Sequence, residues 1–407
     1  MSRGSGVDDG GKWRALALLA TAELFVMALW FSATAVAPEL AGRWGLAPRQ
    51  VAWLTIAVQL GFVTGALASA ALTLSDVVPT RLLFAASALV GAGATVLLTL
   101  VGSASPAIAL RFLTGVALAG VYPPGMKLVA GWFRAGRGLA IGTLIGALTV
   151  GSALPHLVRA VGGVDRPGLV LLVAAGLAVV GAALVLLVEE GPYQSPAAPF
   201  DPGMVGRIVR DRPVSLANLG YFGHMWELYA VWTWVPTYLA ASFTARGEAA
   251  PALASALAFL TIAAGSLGAV AFGTAADRWG RTTLTAVSMV ASGSASLLAG
   301  LVFGASLWVV LPFLLVWGFV VVADSAQFSA CVTELADERY VGTALTLQTA
   351  VGFLLTVVTI QATPLVAARV GWQWAFAPLA VGPAVGTLAM LRLRALPAAR
   401  RLAGGAG

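Results

Sequence analysis

Apolar runs long enough to cross a bilayer recur twelve times in this chain, at about 13-37, 51-74, 82-103, 106-133, 138-160, 168-188, 214-242, 252-275, 283-304, 306-333, 341-368 and 372-392. A membrane helix needs roughly 20 predominantly apolar residues, and each run meets that length. One soluble core cannot absorb them, because 59% of the 407 residues are apolar and only 10% are charged, against about 25% charged in soluble domains. Membrane strands are excluded as well. They run about 10 residues and alternate apolar with polar, whereas these segments are continuously apolar. The expected fold is an all-α membrane protein of twelve transmembrane helices, with the lipid bilayer as its first partner.

Orientation follows from the basic residues. Sixteen Lys and Arg fall on the side that holds both termini, and six fall on the other: Arg43, Arg49, Arg159, Arg166, Arg246 and Arg369. That asymmetry places both termini in the cytoplasm and the protein in the inner or plasma membrane. The high isoelectric point is accounted for by topology, and no basic patch with interleaved aromatics points to nucleic acid. Ala33-Thr34-Ala35 looks like a small-residue cleavage site, but the apolar run before it is too long for a secretory signal and contains Glu23. The single cysteine, Cys331, lies within a span, so no disulfide framework is expected. Two histidines, His156 and His224, are too few and too far apart for a metal motif. Neither metal nor cofactor is expected, and a monomer is the default.

The longest polar interval, Glu189 to Pro213, is rich in Pro, Gly and charge and reads as a linker. It divides the chain into 1-188, a first six-helix bundle, 189-213, a cytoplasmic linker, and 214-407, a second bundle. The halves echo each other at an offset of about 200 residues, as a parallel repeat would. Ala28-Leu29-Trp30 matches Ala230-Val231-Trp232, Asp76 matches Asp277, and Gly115 in the fourth span matches Gly318 in the tenth.

The fourth span carries the densest set of unusual residues: Arg111, Gly115, Gly120, Tyr122, Pro123-Pro124, Gly125 and Lys127. Charges in a span are expensive and point to a partner or a solute. Small residues let neighbouring helices approach, and a proline pair frees backbone carbonyls. After the eighth span the chain reads Gly273-Thr274-Ala275-Ala276-Asp277-Arg278-Trp279-Gly280-Arg281-Thr282. This resembles the G-x-x-x-D-R-x-G-R loop of the major facilitator superfamily, and Arg111-x-x-x-Gly115 is similar to that family's fourth-helix motif. Within the family, the run from Arg111 through Pro123, Trp132-Phe133, Arg137 and Ala140 resembles organic-anion and cyanate-type porters. The resemblance implies two pseudo-symmetric six-helix bundles, alternating access, and a gating role for Gly273, Asp277, Arg278, Gly280 and Arg281, with Asp76 as the first half's counterpart. In that role the arginines pair with acids across the bundle interface. Ala147 stands where the drug-antiporter motif has Pro, which disfavours drug antiport.

Three acids lie within spans. Glu23 sits near mid-membrane in the first, Glu227 takes the corresponding place in the seventh with His224 one turn earlier on the same face, and Asp324 lies in the tenth. A buried carboxyl balanced between desolvation and a nearby cation can exchange protons, so these three are the candidate proton-coupling residues. Asp324 is also a candidate counter-ion for Lys127 or cap on a kink. Candidates for contact with a small-molecule substrate are Arg111, Tyr122, Lys127, His224, Trp232, Gln59 and Gln348, since pockets combine apolar walls with a few placed polar groups.

No G-x-x-x-x-G-K-[ST] motif is present, which leaves an ion gradient as the drive. The expected function is secondary active transport of a small anionic organic solute, coupled to protons, and not enzymatic. The alternatives are a proton-driven efflux antiporter for amphipathic compounds and a non-transporting membrane sensor with the same fold.

Overall fold

A computed structural model describes residues 9–133, 136–193 and 200–407, and the side chains of Asp9, Ser75, Asp76 and Arg137 lie outside what it describes. Every element among the described residues is helical. The first half holds α1 (Asp9–Met27), α2 (Ala37–Trp44), α3 (Trp53–Ala71), α4 (Thr80–Leu98), α5 (Ala104–Ala119), α6 (Tyr122–Trp132), α7 (Arg137–Val158) and α8 (Pro167–Val185). The second holds α9 (Arg212–Ala245), α10 (Pro251–Trp279), α11 (Arg281–Val302), α12 (Leu307–Ala323), α13 (Ser325–Leu335), α14 (Val341–Val370) and α15 (Val381–Arg394). Ten of the expected spans are long and apolar enough to cross a membrane among the described residues. The remaining two are the interrupted first span, around α1, and the more polar α9.

Several spans are built in pieces, the twelfth among them, where two short turns, Trp372–Trp374 and Ala377–Ala380, lead into α15. The fourth breaks between α5 and α6, where Pro123 and Pro124 occupy the first turn of α6. Proline fits that position because its missing N–H would have no intrahelical acceptor there. The tenth breaks at Asp324, between α12 and α13. The first unwinds over residues 28–31 before a short turn, Ser32–Ala35, and then α2.

Glycines set how closely the helices pack, and the two halves use them alike. A β-carbon at Gly115 would stand 2.1 Å from the Val58 carbonyl oxygen, and one at the repeat-related Gly318 would stand 1.7 Å from that of Thr261. No side chain fits in either gap, so α5 meets α3, and α12 meets α10, backbone to backbone. The halves meet along two seams, α7 against α10 and α3 against α14. On the first seam a β-carbon at Gly138 would lie 2.4 Å from the Gly273 carbonyl oxygen, and one at Gly142 would lie 2.9 Å from that of Ala269. Arg14, Arg81 and Arg278 mark one end of the molecule, its basic end. In the interval expected to be a linker, Val205–Arg210 is a short helix, and the Glu189 and Gly131 carbonyls accept from Trp132 Nε1 and the Tyr193 amide at 3.0 and 2.9 Å.

Candidate functional site

Arg111 is fully buried, and its guanidinium is spent on the broken part of the first span. Nη1 donates to the Leu29 carbonyl at 2.9 Å and to Ser32 Oγ at 3.2 Å, Nε donates to the Leu54 carbonyl at 3.1 Å, and Nη2 donates to the Trp30 carbonyl. Where residues 28–31 leave the helix, their carbonyls need other partners, because in a membrane interior such groups must be satisfied within the protein. Arg111 takes those of Leu29 and Trp30, Ser32 Oγ also donates to Leu29 at 2.9 Å, and the Ala35 amide donates to Phe31 at 2.9 Å. In this conformation the side chain expected to meet an anion is a clamp on the chain's own backbone.

That clamp fixes the aromatic layer next to it. Trp30 and Phe31 project from the unwound segment, Phe62 from α3, Tyr229 and Trp232 from α9 and Phe353 from α14. Ring centroids are 4.6 Å apart for Phe62 and Phe353, 5.7 Å for Trp30 and Tyr229, 5.7 Å for Trp30 and Phe353, and 5.8 Å for Phe31 and Trp232. All six side chains are buried. The first and second halves thus interlock through rings at the middle of the molecule.

On the side of this layer away from the basic end lies a cavity of about 400 Å³, walled by both halves. Thr34, Pro38, Val51 and Thr55 line it from the first half and Thr233, Trp234, Pro236 and Thr237 from the second, and Arg159 is the charged residue in its lining. A volume of that size suits a small organic molecule. Gln59, one turn beyond Thr55 on α3, is buried with neither amide atom hydrogen-bonded.

The acids sit on the other side of the rings or level with them. Glu23 precedes Trp30 by seven residues on α1, is fully buried, and has no hydrogen-bond partner on either carboxyl oxygen. It faces the break in the fourth span, where a β-carbon at Gly125 would lie 2.5 Å from its Oε2. Tyr122, which opens α6, is half-buried there, and Lys127 lies further along the same helix, also half-buried. Glu227 accepts from Ser296 Oγ at 2.5 Å and from Trp317 Nε1 at 3.4 Å. His224 Nδ1 lies 2.9 Å from Asp324 Oδ1, and both side chains are buried. Asp324 therefore faces a histidine of its own half. Gln348 Nε2 donates to Asn218 Oδ1 at 3.0 Å while its Oε1 accepts from Ser329 Oγ at 3.1 Å. Trp232 is buried in the ring layer with its Nε1 unpartnered.

At the basic end, Gly273 makes the contact with Gly138 already described. Arg281 Nη2 donates to Glu334 Oε1 at 2.6 Å and Nη1 to Gln327 Oε1 at 2.7 Å, while Asp277 Oδ1 stands 3.4 Å from Nη2. All of these partners belong to the second half, so among the described residues Arg281 is paired within its own bundle rather than across the interface. The reason is reach: Glu334 ends α13, directly beside the start of α11. Asp277 is more than half exposed, and a β-carbon on Gly138 would come within 3.6 Å of its Oδ2, next to the first turn of α7. Arg278 is exposed, and Gly280 adopts a φ of 85°, which favours glycine. The Asp76 side chain lies outside the described residues.

Trp30, Phe31, Phe62, Tyr229, Phe353 and Arg159 were not expected to belong to the site. One signal for the first was in plain view. Trp30 and Trp232 are the matched positions of the internal repeat, and both stand in the ring layer.

The chain matches the family model described as "Major Facilitator Superfamily" over residues 19–358. No curated protein sequence matches it. Among solved structures it is similar to a mutant of the nucleoside transporter NupG, at 14% identity and a TM-score of 0.71, covering 93% of this chain and 99% of that one. It is also similar to the proton:xylose symporter XylE bound to 6-bromo-6-deoxy-D-glucose, at 14% identity and a TM-score of 0.72, covering 95% and 96%. At that identity the likeness carries the fold and not the solute. With twelve spans, two glycine-seamed halves and a family match over most of its length, the chain belongs to the Major Facilitator Superfamily and is a membrane transporter rather than an enzyme.

Proposed function

We propose that the protein moves a small anionic organic solute by alternating access and couples that movement to protons. The observation that carries this reading is the layering at the centre. A cavity walled by both halves ends on interlocked aromatic rings, and the buried carboxyls Glu23, Glu227 and Asp324 lie at or beyond that layer. Glu23 has no hydrogen-bond partner, and an unpaired charge in such surroundings is costly, so its carboxyl is suited to carry a proton through part of the cycle. The Glu227 carboxyl, held by Ser296 and Trp317, and the His224–Asp324 pair are placed to do the same in the second half. Rocking of the halves about the Gly138–Gly273 seam would expose these groups to one side or the other. The orientation proposed is both termini in the cytoplasm of a plasma or inner membrane, with 1-188 and 214-407 as the moving units and 189-213 as their linker.

Uptake of small carboxylates into proteoliposomes, with and without an inward proton gradient, tests the reading. Accumulation above equilibrium only with the gradient is the expected result, and gradient-independent flux or its absence with every anion would overturn it. A second reading is efflux of amphipathic compounds by proton antiport. It is favoured by the apolar cavity wall of Pro38, Val51, Trp234, Pro236 and Trp372, and predicts flux of neutral or cationic amphiphiles in the same vesicles.

A further inference from the structure

We propose that Arg159 is the carboxylate-binding residue of the central cavity and that Glu39 is an internal stand-in for the solute's own carboxylate. This rests on the reading above that the carried solute is an organic anion, and it moves the recognition of that anion from the fourth span to the end of the fifth.

The geometry around Arg159 carries the proposal. Its side chain follows directly on α7 and stands in the cavity wall among apolar residues. Nε and Nη2 both donate to one oxygen of Glu39, Oε1, at 3.0 and 2.6 Å. Nη1 donates to Ser255 Oγ at 2.5 Å and lies 3.4 Å from the Pro251 carbonyl oxygen, both on α10 in the other half. The second carboxyl oxygen of Glu39 is buried without a partner. A guanidinium edge and a carboxylate normally meet through two parallel bonds. Here the edge is used on a single oxygen, and the other acceptor is wasted in a low-dielectric wall, where an unpaired polar atom is expensive.

A solute carboxylate arriving in the cavity can take the Nε–Nη2 edge with both oxygens while its apolar part lies against Trp234 and Trp372. Glu39, which precedes the exposed residues at the end of α2, is then released towards water. The exchange replaces one ion pair with a better-formed one, so the guanidinium is never left without a counter-charge. It also couples binding to the seam, because the same guanidinium reaches α10 through Nη1. The ligand class that fits is a monocarboxylate with a compact apolar or aromatic body.

Isothermal titration of the purified full-length protein with benzoate and with benzamide, its neutral isostere, tests the assignment. Wild type is expected to prefer benzoate. Arg159→Gln should cut that preference on the order of tenfold or more, and Arg159→Lys should retain part of it. Glu39→Gln should raise benzoate affinity, because the competing carboxylate is gone, and leave benzamide unchanged. If Arg159 and Glu39 only tie the helices together, both variants lose thermal stability and the benzoate-to-benzamide ratio stays fixed, which overturns the proposal. A fall in benzoate affinity in Glu39→Gln overturns it as well, even if Arg159→Gln does not fold. A preference for benzoate that survives in Arg159→Gln sinks this site alone, whereas no preference in wild type sinks the anion reading along with it.

Discussion

Arg111 Nη1 donates to the carbonyl of Leu29 at 2.9 Å, joining the fourth span to the one place where the first span ceases to be a helix. The bond closes a chain of dependence from one charged side chain, through freed carbonyls, to the ring layer at the molecule's centre. Arg111→Met should therefore act on the fold before it acts on the solute. The Leu29 carbonyl keeps Ser32 Oγ, but the Trp30 carbonyl is left buried without its donor, which costs about 1 to 3 kcal/mol, measured as a lower melting temperature of the purified protein. A variant that melts like wild type and only binds solute more weakly would refute the clamp.

Glu334 matters more than Asp277 at the basic end. Glu334 takes two donors of Arg281 and also the Ala403 amide at 3.0 Å, whereas Asp277 makes one long contact from an exposed position. Glu334→Gln is expected to cost on the order of 1 to 3 kcal/mol through charge-assisted bonds in a part-buried site. Asp277→Asn is expected to cost about 1 kcal/mol or less. Thermal unfolding of the two variants side by side gives the ranking, and the reverse order would refute it.

Cysteine accessibility can test the seam cleanly, because Cys331 is the single native cysteine and is buried. Thr237→Cys, in the cavity wall, should react with an impermeant maleimide from the side away from the basic end. Tyr122→Cys, beyond the rings, should be protected from that side. Adding Gly138→Ala places a β-carbon 2.4 Å from the Gly273 carbonyl oxygen, a distance no packed helix pair tolerates, so α7 and α10 must part. Tyr122→Cys should then gain reactivity from the basic end. Unchanged labelling in the double variant would mean that this contact does not hold the end shut.

Some of this was legible in the residues and some was not, for identifiable reasons. Twelve spans follow from length and apolarity alone. Gly115 and Gly318 were legible as a matched pair, and they make the same backbone contact in each half. The role of Arg111 was not legible, because the segment it serves, Ala28-Leu29-Trp30-Phe31, contains neither Pro nor Gly and reads as uninterrupted helix. Two of its carbonyls are taken by a residue 82 and 81 positions further along the chain, and no local rule carries that information. The pairing of His224 with Asp324 was hidden in the same way. Both were recognisable as buried titratable groups, but Lys127 was an equally good partner for Asp324 until the packing of α9 against α13 brought His224 to 2.9 Å. In the sequence Arg159 is only one of six basic residues on its side of the membrane, since nothing in its neighbourhood reveals that Glu39 and Ser255 converge on it.

Proton coupling and solute recognition are separable in a single pair of assays. Glu227 is held by Ser296 and Trp317 in the second half, and Glu23 stands without a hydrogen-bond partner in the first. Replacing either by its amide keeps the shape and removes the exchangeable proton. For the residue that carries the coupled proton, gradient-driven accumulation should disappear, while counterflow of solute between two loaded compartments, which needs no net proton movement, should persist. Ser296→Ala provides an internal control for Glu227: it removes the hydroxyl that donates to the carboxylate, so it should change the pH at which uptake is half-maximal without abolishing it. Charge-neutralising Arg159→Gln should give the opposite phenotype, with both accumulation and counterflow weakened through binding. Were Glu23→Gln, Glu227→Gln and Asp324→Asn all to keep the pH dependence of wild type, the proton would have to travel by some other route, and coupling through the buried acids would be wrong.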